Sequence, residues 1–291
     1  MPESASPQQG QQPAGESFGS RLAAAMAARG PLCVGIDPHP QLLADWGLTD
    51  DVAGLERFSL TVVEAVASLA AAVKPQVALY ERHGSAGMAV LERTLTASAD
   101  AGVLSIADAK RGDIGSTMAA YADAWLRDGS SLAADSVTLS PYLGFESLRP
   151  ALDLAAQYGR GVFVLALTSN PEGKSVQHIG GSDSVARRIA AAAALENQRY
   201  SGSMGSVGLV VGATIGSALD DLDIELAPVR GAILAPGLGA QGATPADLRT
   251  TFGAAYPTVL ATSSRGILAA GPSLASLRAA TEETLRGLRF E

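Results

Sequence analysis

From residue 32 onward the chain alternates between two patterns. Short, mostly apolar runs rich in Val, Ile, Leu and Ala occur at 32–36, 72–77, 103–107, 136–139, 162–167, 207–211, 232–235 and 258–261. Strands buried on both faces read this way. Between and after them lie longer segments with apolar positions at helical spacing, at 52–71, 85–101, 114–126, 145–158, 185–200, 215–223, 245–252 and 273–288. Each carries a one-sided apolar stripe, as helices covering a parallel sheet do. Eight strand-helix units with no dividing linker predict an α/β fold, a single-domain (β/α)8 TIM barrel over residues 18–291, with a helix at 18–28 capping its bottom.

Composition narrows the class. At 291 residues, with 47% hydrophobic and 17% charged residues, the chain has enough apolar material for a large core. Its formal charge of −8 argues against a broad nucleic-acid face, which needs clustered Lys and Arg, though a single bound phosphate remains compatible. One cysteine, Cys33, sits inside an apolar run, so no intrachain disulfide forms and a reducing, cytoplasmic setting fits. His39, His83 and His178 are too scattered for a local metal-ligand motif, so no protein-held metal is expected. Residues 1–17, rich in Pro, Gln, Gly and Ser, lack the basic and apolar regions of a secretion signal and read as a disordered tail. No apolar stretch is long enough to suggest a membrane partner.

Barrel enzymes carry their chemistry at the C-terminal ends of the strands. Polar residues concentrate there: Asp37, Lys74, Asp108 with Lys110, Ser140, Thr168 to Asn170, Gln241, and Ser264 with Arg265. The densest stretch is Asp108-Ala-Lys110-Arg-Gly-Asp113-Ile-Gly-Ser-Thr117. Residues two apart on a strand share a face, so Asp108 and Lys110 should both look into the barrel mouth and Arg111 away from it. Asp113 is expected after a glycine-assisted bend, placing two carboxylates near one ammonium. Opposite charges about 4 Å apart attract by roughly 4 kcal/mol at an effective dielectric of 20, before desolvation, so Lys110 would be held as a cation. Such a group can stabilise negative charge growing on carbon and then protonate it. A solvated salt-bridge loop is the other reading of the same residues.

This stretch resembles the signature Asp-x-Lys-x-x-Asp-Ile-x-x-Thr of orotidine 5'-phosphate decarboxylases at every fixed position. Similarity runs from about Leu32 to Gly266, and Lys-Pro-Gln at 74–76 with Ser-Pro-Tyr-Leu-Gly at 140–144 is similar to a longer bacterial branch. The resemblance implies a cofactor-free conversion of orotidine 5'-phosphate to uridine 5'-phosphate. It assigns the ribose hydroxyls to Asp37 and Lys74, crowding of the substrate carboxylate to Asp108, and protonation of C6 to Lys110. Asp113 and Thr117 would complete a neighbouring subunit's site, which implies a homodimer. Ser140, followed by Pro141, resembles the element that meets the pyrimidine edge. Ala235-Pro-Gly-Leu-Gly-Ala-Gln241-Gly, with Ser264 and Arg265, resembles a phosphate loop, where glycines let backbone N–H groups approach the anion. Two alternatives share these residues: a magnesium-dependent sugar-phosphate decarboxylase or aldolase of the same superfamily, and a noncatalytic pyrimidine-nucleotide-binding barrel.

Overall fold

In the computed structural model, which describes residues 16–239 and 242–289, eight parallel strands close in chain order. They are β1 (Leu32–Ile36), β2 (Ala72–Pro75), β3 (Leu104–Arg111), β4 (Ser136–Leu139), β5 (Gly161–Leu167), β6 (Gly205–Val211), β7 (Gly231–Pro236) and β8 (Val259–Ser263). Pairing of Leu32, Cys33 and Val34 with Ala261, Thr262 and Ser263 seals the barrel. The (β/α)8 fold expected from the apolar pattern is the observed one.

Several boundaries moved for identifiable reasons. The helix expected at 145–158 divides into a 3-10 turn, Phe145–Leu148, and an α-helix, Arg149–Gln157. Pro150 lies in the first turn of the second piece, where its missing N–H costs nothing. The helix expected at 215–223 shrinks to Ala218–Asp221, bracketed by left-handed backbone at Gly216 (φ 62°) and Asp223 (φ 53°). Of the tail expected over 1–17, residues 1–15 lie outside the described residues, and Ser17 is the N-cap of the helix Phe18–Arg29.

Two apolar layers hold the barrel. Outward strand residues such as Val34, Val73 and Val164 pack under helix residues such as Phe58, Val62 and Leu91. Inward residues Cys33, Ala72, Ile106, Phe163, Val210, Leu234 and Leu260 fill the interior. The inward positions change character along the strands. Ala72 is followed two residues later by Lys74, Ile106 by Asp108, and Leu260 by Thr262. Because alternate strand residues share a face, this makes the barrel apolar below and polar at its C-terminal mouth.

The helix Phe18–Arg29 plugs the lower end. The Phe18 ring meets Phe163 edge-on with centroids 6.0 Å apart, and the Gly19 N–H donates to Ser206 Oγ at 3.1 Å. Gly161 must lack a side chain, since a Cβ there would lie 2.1 Å from the Phe18 ring. Arg21 binds Asp135 at 2.5 Å, and Arg29 donates to the carbonyls of Ala67, Ala70 and Gly102. Phe18→Ala should therefore open a cavity under the barrel and lower stability by about 3–5 kcal/mol, read as a fall in the urea midpoint.

Candidate active site

The site is built on an irregularity in β3. Ala107 pairs with Val137 and Arg111 with Leu139, so three residues of β3 (Asp108, Ala109, Lys110) oppose the single residue Thr138 of β4. Extra residues in one strand form a bulge that re-aims side chains. Lys110 takes a left-handed backbone (φ 50°), which costs a non-glycine residue on the order of 1–2 kcal/mol. The bulge turns the Lys110 ammonium back onto Asp108 and lets Arg111 leave the site. Arg111 pairs with Glu81 and lies over the rings of Tyr121 and Trp125, 5.6 and 5.9 Å from their centroids.

Asp108 is the centre of the arrangement. Lys74 from β2 donates to its Oδ2 at 2.7 Å and Lys110 to its Oδ1 at 2.6 Å. Thr138 Oγ1 donates to Oδ1 at 3.0 Å, and Gln76 Nε2 to Oδ2 at 3.2 Å. Gln76 Oε1 accepts from Lys110 Nζ at 3.4 Å. The side chains of Lys74 and Asp108 are 7% and 9% exposed, against 47% for Lys110, so Lys110 is the charge presented to the cavity.

Burial by itself would raise the Asp108 carboxyl, but the ammoniums of Lys74 and Lys110 outweigh it and hold that group well below the usual carboxylate range. Burial would likewise lower the Lys74 ammonium, whereas Asp108 and then Asp37 drive it above the ordinary lysine value. Cys33, beneath them, is pushed up to about 12 by burial and stays a neutral thiol.

A cavity of about 860 Å³ opens above this cluster. Its wall includes Asp37, Lys74, Gln76, Asp108, Lys110, Thr168, Thr262, Ser264 and Arg265, together with Pro236, Gly237 and Leu238 from the segment after β7. Asp37 Oδ1, Thr262 Oγ1 and Ser264 Oγ are buried polar atoms with no hydrogen-bond partner among the described residues, and their side chains all line this cavity. Arg265 at the lip makes no ion pair with any described residue.

The remaining expected residues lie elsewhere. Asp113 does not supply a second carboxylate to Lys110: Gly112 packs its Cα against the Ser140 carbonyl, the chain swings outward, and Asp113 Oδ1 accepts from the Ile114 N–H at 2.8 Å. The actual balance is two ammoniums to one carboxylate, because Lys74 arrives from the adjacent strand. Thr117 is exposed on the helix Gly115–Leu126. Ser140 donates its N–H to the Arg111 carbonyl at 2.8 Å and, with Pro141, stands behind the bulge instead of on the cavity wall. Gln241 lies outside the described residues. Among the described residues no group of three or more His, Cys, Asp or Glu is placed to hold a metal ion.

A profile of the "Orotidine 5'-phosphate decarboxylase / HUMPS family" matches residues 30–280. An orotidine 5'-phosphate decarboxylase from Salinispora arenicola is 58% identical over 276 residues, covering 94% of this chain and 98% of that protein. One from Streptomyces coelicolor is 56% identical, covering 92% of this chain and 95% of that one. The chain belongs to the orotidine 5'-phosphate decarboxylase family. A Streptomyces avermitilis crystal structure assigned the same enzyme name superposes with a TM-score of 0.89 at 56% identity, covering 94% of this chain and 95% of that chain. The Leishmania donovani OMP decarboxylase superposes with a TM-score of 0.74 at 33% identity, covering 94% of this chain and 97% of that chain.

Within this decarboxylase-family barrel, sequence reading passed over Gln76 and Thr138. The signal for both was strand alternation: Gln76 is two residues beyond Lys74, and Thr138 two beyond the inward Ser136. Neither is charged, so neither stands out as a partner of Asp108 beside the lysines.

The shifts of Asp108 and Lys74 set a pH window. A carboxylate lowered on folding stabilises fully above its unfolded value, near 4, and loses that contribution as pH falls. An ammonium raised on folding stabilises fully below its unfolded value, near 10.4, and loses that as pH rises. The stability difference between the parent and Asp108→Asn should thus be flat from about pH 5 to 9.5 and shrink below about pH 4 in urea titrations. A slope between pH 6 and 8 would mean that Asp108 in the parent, or Lys74 deprived of its carboxylate in the variant, titrates there.

Proposed function

We propose that this chain decarboxylates orotidine 5'-phosphate to uridine 5'-phosphate, the last step of de novo UMP synthesis, without metal or organic cofactor. The observation that carries the reading is Asp108 fixed between Lys74 and Lys110 at the floor of the cavity, with Lys110 the cation facing the open space. Family membership at 56–58% identity to named decarboxylases supports it.

The substrate phosphate sits between Arg265 and the glycine-containing segment after β7, and Gln241 is a further substrate-binding residue. The ribose hydroxyls meet Asp37 and Lys74, whose neighbours Thr262 and Ser264 offer further uncommitted hydroxyls. The pyrimidine edge falls to the loop 168–174, whose Thr168 lines the wall, with Ser140 and Pro141 supporting the bulge from behind. The C6 carboxylate is then directed at Asp108, which is held ionised and cannot relieve the crowding by taking a proton. The C6–carboxyl bond breaks, carbon dioxide leaves, and the bonding electron pair remains on C6. The Lys110 ammonium stabilises that charge and delivers a proton to C6, and the resulting amine is reprotonated from water. Binding at the remote phosphate contributes free energy that orients the ring for this step.

Residues 18–291 form the catalytic domain, with residues 1–17 as an appended tail, and the enzyme works in the cytoplasm as a homodimer. The dimer reading is supported by exposed apolar side chains beside Asp113 and Thr117: Ile114 is 61% exposed, Tyr142 80% and Leu143 54%. A second copy covering them would bring Asp113 and Thr117 toward its own cavity.

Lys110→Ala should lower kcat by at least about 10³-fold with the fold intact by circular dichroism, and parent turnover, followed by ultraviolet absorbance, should be unchanged by excess EDTA. Activity on a sugar phosphate restored by magnesium would favour the rival enzyme class instead. Arg265→Ala should raise KM by about 10- to 100-fold, the loss of one charge-assisted contact, with less effect on kcat. If sites are shared, mixing and refolding inactive Lys110→Ala with inactive Asp113→Ala should regain up to about a quarter of parental activity, since some mixed dimers hold one intact site. No regained activity would place Asp113 in its own subunit's site.

A further inference from the structure

The bulge in β3 needs something to hold it. Between the pairs Ala107–Val137 and Arg111–Leu139 the backbone ladder is broken, and the N–H of Lys110 has no strand partner there. That N–H donates to Thr138 Oγ1 at 2.9 Å, and the same hydroxyl donates its own proton to Asp108 Oδ1 at 3.0 Å. Thr138 is 1% exposed and is not part of the cavity wall. One hydroxyl therefore fixes two things at once: the left-handed backbone from which the Lys110 side chain springs, and the carboxylate oxygen to which its ammonium is bonded.

We infer that Thr138 is a positioning residue for decarboxylation, setting the place of the Lys110 ammonium through the Lys110 N–H and the Asp108 carboxylate. The inference rests on the reading of Lys110 as the proton donor to C6. Strain in the Lys110 backbone gives the chain a reason to relax once the hydroxyl is gone, because neither a valine nor an alanine can accept the N–H. An ammonium displaced by about 1 Å from a reacting carbon forfeits around 100-fold in rate while ground-state binding through phosphate and ribose is retained. Serine keeps the hydroxyl and, with it, both hydrogen bonds.

The test compares the parent, Thr138→Val, Thr138→Ser and Lys110→Ala for kcat and KM on orotidine 5'-phosphate, with hydrogen exchange of the 108–112 segment measured alongside. The expected result is a fall in kcat of about 100-fold for Thr138→Val, KM within about threefold of the parent, and exchange at the Lys110 amide faster by about tenfold. Thr138→Ser should return to within about tenfold of parental kcat. If Thr138→Val does not fold, Thr138→Ala, which adds no methyl against the bulge, takes its place in the same comparison.

A folded Thr138→Val with kcat within about threefold of the parent, beside a dead Lys110→Ala, would overturn the positioning role and leave the assignment of Lys110 standing. Thr138→Ser as slow as Thr138→Val would also overturn it, because packing and not the hydroxyl would then be at issue. Lys110→Ala as fast as the parent would remove the proton-donor reading itself, and the role of Thr138 in the reaction would fall with it, even if the exchange measurement still showed the hydroxyl holding the bulge.

Discussion

One carboxylate shared by two ammoniums is the interaction on which this site depends. Asp108 is buried, and a buried charge is tolerated only when it is paired and hydrogen-bonded. Lys74, Lys110, Thr138 and Gln76 supply that environment from three strands, so the anion ties β2, β3 and β4 together at the mouth of the barrel. Removing any one donor leaves a charge or dipole unsatisfied among neighbours that cannot readily rearrange. The ion pair that ties the folded mouth together is also the pair that lines the cavity.

The rest of the barrel makes such a concentration of charge tolerable. The lower interior is mostly apolar and packs against Phe18, Leu22 and Met26 of the plugging helix. Polar residues begin one inward position higher on three strands, and the cavity above them is lined as far as Arg265. Arg265 at the lip and the Asp108–Lys110 pair at the floor are thereby held apart along the cavity wall. That separation lets binding energy gathered at one end be used in orientation at the other.

The bulge in β3 shows how the fold spends stability on function. A regular strand would have sent Asp108 and Lys110 up the wall in parallel, with their charged ends side by side. Three residues opposite one, and a left-handed lysine, fold the ammonium back on its own carboxylate. Strain of this kind persists where surrounding contacts over-determine it, and the Thr138 hydroxyl is the contact that does so.

The amino-acid sequence alone determined the eight strand-helix repeats, the closure into a barrel and the band of polar residues at one rim, because periodicity and burial are properties of local pattern. It also placed Asp37, Lys74, Asp108, Lys110, Ser264 and Arg265 on that rim, since each lies within a few residues of the C-terminal end of an apolar run. Only the tertiary structure decided who meets whom. Asp113 stands three residues from Lys110 in the chain yet turns away from it, whereas Lys74, 36 positions earlier, shares its carboxylate partner. The Ser140 N–H bonds to the Arg111 carbonyl and the Thr138 hydroxyl to the Lys110 N–H for the same reason: the register slip in β3 cannot be read from either strand by itself. Neighbours across a parallel sheet are chosen by strand order and register, and these exist only once the chain has closed on itself.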